Sequence, residues 1–209
     1  MRVVRELVAL GASEVSLLDL DGQVASDVLP QWMQSLVAVA GVPIRFDGRL
    51  HDGVRIERLS RAGLATLVVD QHAVFDSIVL RWALDLYGSA LCVEVQVDSE
   101  YVFDAPPAAF GRELVDVIGD LHMRGARRVL YRDVTGAELP LQRLIDLGNR
   151  VPGLRYTYQG GAVRTVDDVA ELAMIGAPME AVLVDAARIL AGDFDLAAAN
   201  RASTPAAGP

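Results

Sequence analysis

The sequence has one cysteine, three histidines and, in all its 209 residues, no apolar run that nears a membrane span. A lone cysteine cannot close an internal disulfide, and Cys92 sits inside the apolar run "ALCVEV", where a small buried thiol is the ordinary use. His51, His72 and His122 stand far apart, with no ligand spacing among them, so no metal site and no cofactor are expected. A bilayer-crossing helix needs about 18 or more apolar residues. The opening segment "MRVVRELVALGASEV" carries Glu6 within a helical period and does not read as a secretory signal, which leaves a cytoplasmic location as the expectation. Positive charge is also short: 19 Lys and Arg stand against 28 Asp and Glu, a formal net charge of −9. Nucleic-acid binding draws on clustered cations, and here the arginines are scattered over helix faces, so neither nucleic acid nor membrane is an expected partner.

What the chain has instead is apolar strand. Hydrophobic residues make up 52% of it, in short Val- and Leu-rich runs that alternate with segments of helical period. Strands are expected at 15–19, 43–46, 66–70, 91–97, 128–133, 154–158 and 181–185, and helices at 2–10, 29–40, 54–62, 77–87, 111–124, 139–150 and 166–175. Runs this apolar on both faces suit a parallel sheet covered by helices, an α/β fold. Gly11, Gly41, Gly63, Gly125 and Gly176 each follow a helical run, where a left-handed cap favours glycine.

A weak repeat narrows the choice. Set against 125–136, residues 11–22 match at five of twelve positions. Gly48 falls on Gly160 and Val54 on Val166 at a spacing of 112, and Asp70 falls on Asp185 at 115. Two related halves, about 1–110 and 111–196, fit an eight-fold barrel better than a doubly wound sheet. The expected domain is 1–196, with 197–209 a frayed Ala/Pro-rich tail.

The segments "LLDLDGQ" (17–23), "GVPIRF" (41–46), "GARRVLYRD" (125–133), "YQGGAVRTVDDVAEL" (158–172) and "AVLVDAARILAGDF" (181–194) resemble, in order and spacing, the histidine-biosynthesis barrels. Within that family the likeness is to the phosphoribosylformimino-AICAR-phosphate isomerase and, more distantly, to the cyclase subunit. The resemblance implies a (βα)8 barrel of the TIM type with a half-barrel internal repeat. Members open on a strand of the type "IPAIDL", whose aspartate is catalytic. "MRVV" belongs to the first helix, so a barrel lacking its first strand is expected here. Three explanations stand open: a misassigned start, a barrel open by one strand, or completion by another chain. An open barrel leaves two strand edges, a route to self-association or to a protein partner.

The reaction the resemblance implies is an Amadori rearrangement of a phosphorylated ribosylamine by two carboxylates, one from each half. Gln96 stands at the position of the second acid, and glutamine exchanges no proton near neutral pH. Asp98, two residues on, and Asp133, just past the family's threonine position, are the weak catalytic candidates beside Gln96. Glycine-rich loops hold the substrate's phosphates in the family. The second of these keeps Gly160 and Gly161 with Arg164 nearby, while the first has become Asp47-Gly48-Arg49, leaving Gly48 and Arg49 as faint candidates. Asp47, Asp70 and Asp185 occupy glycine positions, where a carboxylate repels an anion by roughly several kcal/mol at intermediate dielectric. Such a rim suits a hard cation as one alternative, and Asp19 and Asp21 belong to the family pattern. The expected function is an isomerase-like barrel without isomerase turnover, acting as a binding or interaction module; the alternative is an active aldose-ketose isomerase. A phosphorylated sugar remains a candidate ligand.

Overall fold

The computed structural model of the chain describes residues 1–20, 31–50, 52–70, 77–99, 101–105 and 109–203. The helices are α1 (Arg2–Ala9), α2 (Gln31–Ala40), α3 (Gly53–Arg61), α4 (Ser77–Tyr87), α5 (Leu114–Met123), α6 (Leu141–Arg150), α7 (Val166–Ala173), α8 (Ala186–Ala191) and α9 (Leu196–Ser203). The strands are β1 (Val15–Leu18), β2 (Ile44–Leu50), β3 (Thr66–Val69), β4 (Leu91–Asp98), β5 (Tyr101–Val102), β6 (Arg128–Asp133), β7 (Arg155–Gly160) and β8 (Met179–Leu183). Seven of them run in parallel in the order β1-β2-β3-β4-β6-β7-β8, and β5 folds back antiparallel on β4. Strand and helix alternate along the chain, and the sheet curls on itself: Arg132 of β6 reaches Asp47 of β2, and Arg128 of β6 reaches Thr66 of β3. This is the expected (βα)8 type, with β1 and β8 at the two ends of the strand path.

Alternation sorts the side chains. Ile44 and Phe46, Leu67 and Val69, Val93, Val95 and Val97, Val129 and Tyr131, and Tyr156 and Tyr158 face the helices and form the main core. The other face of the same strands lines the barrel. Val68, Cys92 and Leu130 form a small inner cluster there, all fully buried, with Leu183 packed against it. Burial pushes the Cys92 thiol up to about 11, so it stays protonated and inert. At the floor, Arg45 pairs with Glu14 at 2.9 Å, and Arg128 pairs with Glu180 at 2.7 Å while donating to Thr66. These ions are held by partners, as buried charges must be.

The helix boundaries lie within three residues of the expected ones. Gly11 follows α1 with φ +103°, so a side chain there would be strained. The C-terminal segment departs from expectation. Residues 197–203, expected as frayed tail, belong to α9, which packs on α7, buries Ala199 and sends Asn200 Nδ2 to the Gly11 carbonyl at 2.6 Å. An Ala-rich stretch folds where it finds a surface to cover; composition alone does not reveal that surface. Residues 204–209 lie outside the described part. Among the described residues no helix is long and apolar enough to cross a membrane.

Between β1 and β8 runs a groove of about 1250 Å³. Leu7, Glu14 and Asn200 line one end of it, and Asp47, Arg132 and Gly160 the other. Because β1 is an end strand, its inward-facing Ser16 and Leu18 are exposed. The helix ring is closed at this point, since α1 packs against α8.

Candidate functional site

The C-terminal strand ends form the mouth, where barrels of this type place their sites. At its centre is Arg132, the last inward-facing residue of β6. Its guanidinium spans the barrel, with Nη2 donating to the Asp47 carboxylate of β2 and Nε to Glu94 of β4. Glu94 also accepts from Gln96 Nε2 at 3.0 Å. The chain contains no lysine, so each of its side-chain cations except histidine is an arginine, whose planar fork suits such a two-carboxylate bridge. Burial, with Glu94 alongside, pushes the Asp47 carboxyl up to about 6 against the opposing pull of Arg132.

Beside this bridge Asp19, just past β1, pairs with Arg55 of α3 at 3.0 Å. Asp70, just past β3, adds to the negative field on Asp47. Asp133, at the end of β6, accepts from the Thr135 and Gly136 amides, the Thr135 hydroxyl and the Tyr158 hydroxyl. It organises the β6–α6 turn and is not a carboxyl held ready for a ligand. Asp185 caps α8, accepting from the Ala187 amide at 2.8 Å.

The catalytic candidates therefore separate. Gln96 points inward and is engaged with Glu94. Asp98, placed by alternation on the same face, is the last residue of β4, where the chain turns into β5: it is exposed and accepts from the Ser99 hydroxyl. Asp133 lines the mouth, but four donors already hold it.

Of the anion candidates, Gly160 and Gly161 line the groove. Gly160 is also demanded by packing, since a Cβ there would meet the Tyr158 ring at 2.8 Å. Arg164 stands outside: its side chain is exposed, its amide donates to Asp168 and its carbonyl accepts from Arg188. Gly48 is sterically required too, its missing Cβ lying 2.7 Å from the Phe46 ring. The Arg49 side chain, Asp21, Gln71, His51 and His72 lie outside the described residues. His122 is engaged far from the mouth, with Nδ1 3.1 Å from the Ala126 carbonyl. Among the described residues no group of three His, Cys, Asp or Glu is placed to hold a metal ion.

Sequence reasoning missed the bridge. It took the strands as apolar on both faces, whereas Cys92, Glu94 and Gln96 alternate with valines in β4, and Arg128, Leu130 and Arg132 alternate along β6. Polar residues two apart inside a Val-rich strand were the available signal.

A family model described as histidine biosynthesis protein matches residues 1–194. The chain belongs to that family. Among its relatives are three proteins named 1-(5-phosphoribosyl)-5-((5-phosphoribosylamino)methylideneamino)imidazole-4-carboxamide isomerase. The one from Roseiflexus sp. (strain RS-1) is 26% identical, with 93% of this chain and 82% of that protein covered. That from Rubrobacter xylanophilus is 29% identical, covering 81% and 70%. That from Deinococcus radiodurans is 30% identical, covering 82% and 74%. The protein is thus a phosphoribosyl isomerase-like barrel of the histidine-biosynthesis family.

Proposed function

We propose that this member of the histidine-biosynthesis family does not turn over the substrate named for its relatives and serves as a binding module. The observation that carries this reading is the Asp47–Arg132–Glu94 bridge with Gln96 on its flank. The position of the family's second acid holds an amide that exchanges no proton near neutrality. The central cation of the mouth is already committed to two carboxylates, so an incoming phosphate gains little from it. Asp19, Asp47, Asp70, Glu94, Asp133 and Asp185 all surround that mouth, and a compound bearing two phosphoribosyl groups would meet a net negative field. The glycines at 48 and 160 are explained by the rings beneath them, which weakens their claim as phosphate contacts. A neutral or cationic small molecule fits this electrostatic setting better.

The test is an isomerase assay on the purified chain with the relatives' bis-phosphoribosyl substrate, together with thermal melting in its presence. No turnover and no rise in Tm are expected, and Gln96→Asp alone does not restore activity. Measurable turnover overturns the reading. In that case Asp47 becomes the proton-exchanging group, since its carboxyl, at about 6, is suited to acid–base work near neutrality. Asp47→Asn then abolishes the activity.

A further inference from the structure

At the floor of the barrel a polar chain runs from one open edge of the sheet to the other. It starts at Glu14, the residue before β1, whose carboxylate accepts from Arg45 of β2 at 2.9 Å and from the Thr66 hydroxyl of β3 at 3.3 Å. Thr66 Oγ1 accepts in turn from Arg128 Nη1 of β6 at 3.1 Å, and Arg128 Nε donates to Glu180 of β8 at 2.7 Å. Each ion pair is neutral by itself, and among the described residues the Thr66 hydroxyl is the joint between them. A hydroxyl gives one proton and accepts on its lone pairs, so it serves both sides at once. Strand pairing does not make this connection, since β1 pairs with β2 and β8 with β7.

The chain also separates two spaces. Glu14, Thr66, Arg128 and Glu180 all line the groove between β1 and β8. On the inner side lies Cys92, fully buried in the lumen cluster, with Sγ 3.9 Å from Arg45 Nη1. The charges of Arg45, Arg128, Glu180 and Glu14 all bear on its thiol, which places the four ions around it. The edges themselves are thinly packed. Val15 is the one buried residue of β1 and β8 has none, whereas all four residues of β3 are buried. Elements with few buried side chains open at lower cost than the rest of a fold.

We propose that this chain is a clasp: it holds the two open edges together at the floor, and its release opens a side entrance from the groove to the lumen around Cys92. The mouth, crossed by the Arg132 bridge, takes no part, so the clasp is independent of whether the mouth turns over substrate.

Cys92 is the only thiol in the chain, so its alkylation by iodoacetamide reads the opening directly. Labelling of the full chain is followed by mass spectrometry at increasing urea, beside urea unfolding of the unlabelled protein. At low urea, labelling is expected to run faster than global unfolding allows and to change little with denaturant, the mark of a local opening. Thr66→Val cuts the joint, keeps both ion pairs and should raise the low-urea rate by about tenfold. Asp52→Ala, which removes a helix cap at the mouth end of α3, should lower global stability and leave the low-urea rate unchanged. Wild-type labelling that tracks global unfolding at every urea concentration overturns the proposal. So does a Thr66→Val rate equal to that of the wild type, or an equal acceleration by Asp52→Ala. Should Thr66→Val fail to fold, Glu14→Gln weakens the same edge and should accelerate labelling likewise; a rate unmoved by it counts against the clasp.

Discussion

At the mouth end of β2 the chain runs Phe46, Asp47, Gly48; at the mouth end of β7 it runs Tyr158, Gln159, Gly160. Both triplets use one device: a ring two residues before the glycine fills the space a Cβ would take. They differ at the residue between. Gln159 is neutral and borders the groove, whereas Asp47 is a buried carboxylate tied to Arg132. The helices that follow differ as well. Asp52 caps α3 with a single side-chain bond to the Arg55 amide, while Thr165 and Asp168 form a reciprocal capping box on α7. The two halves thus share a backbone plan. What separates them is where charge has been placed, and a conserved plan does not bring conserved chemistry with it.

The largest effect that would test this contrast is on the bridge. Arg132→Met leaves Asp47 and Glu94 buried without their cation, and urea unfolding at neutral pH should show a loss of about 3–5 kcal/mol. A cost near that of an exposed ion pair would mean the first-half carboxylates are better hydrated than their burial implies.

The pH dependence of stability comes next. The Asp47 carboxyl is raised from its ordinary value to about 6 by burial. In the interval between, the folded chain holds a proton the unfolded chain has released. This contribution is complete below pH ~4 and is lost as pH rises through about 6, by at most ~2–3 kcal/mol. Asp47→Asn should remove that fall from a series of melts, whereas Gln159→Glu, at the matching second-half position, should create a new one.

Smaller effects test the shared device. Gly48→Ala and Gly160→Ala should each cost about 1–3 kcal/mol, because the Phe46 and Tyr158 rings cannot both stay packed and yield. If the relatives' substrate raises the Tm of the wild-type chain and only Gly160→Ala removes that rise, the second-half loop is an anion site after all. Smallest are the caps: Thr165→Ala and Asp52→Ala should each lose about 1 kcal/mol of stability, because each removes one side-chain acceptor from a helix amide, while Asp168 keeps the Arg164 and Thr165 amides.

Much of this architecture was readable in advance, for physical reasons that differ by element. β6 was expected at 128–133 and is found there, because an apolar run between a glycine turn and an aspartate has few alternatives. α4 was expected at 77–87 and is found there too. By contrast α9 was taken for tail, since helix formation in "LAAANRAS" depends on docking against α7 and on the Asn200 bond to Gly11, nearly two hundred residues distant in the chain. The β4–β5 hairpin was not foreseen, because a two-residue strand, β5, leaves too short a pattern to read. The bridge itself was invisible as a bridge: Asp47, Glu94 and Arg132 lie on three strands, and only curling the sheet sets them in one layer.

Taken alone, the sequence determined the alternation of strand and helix and the turn glycines, because these follow from local periodicity and local sterics, and its motifs carried the resemblance to the family. The tertiary structure decided which carboxylates share a cation, which glycines answer to packing, what the C-terminal segment covers and where the sheet stands open. Those depend on distances between segments far apart in the chain, and a linear pattern carries no measure of such distances until the barrel curls and brings opposite strands within reach.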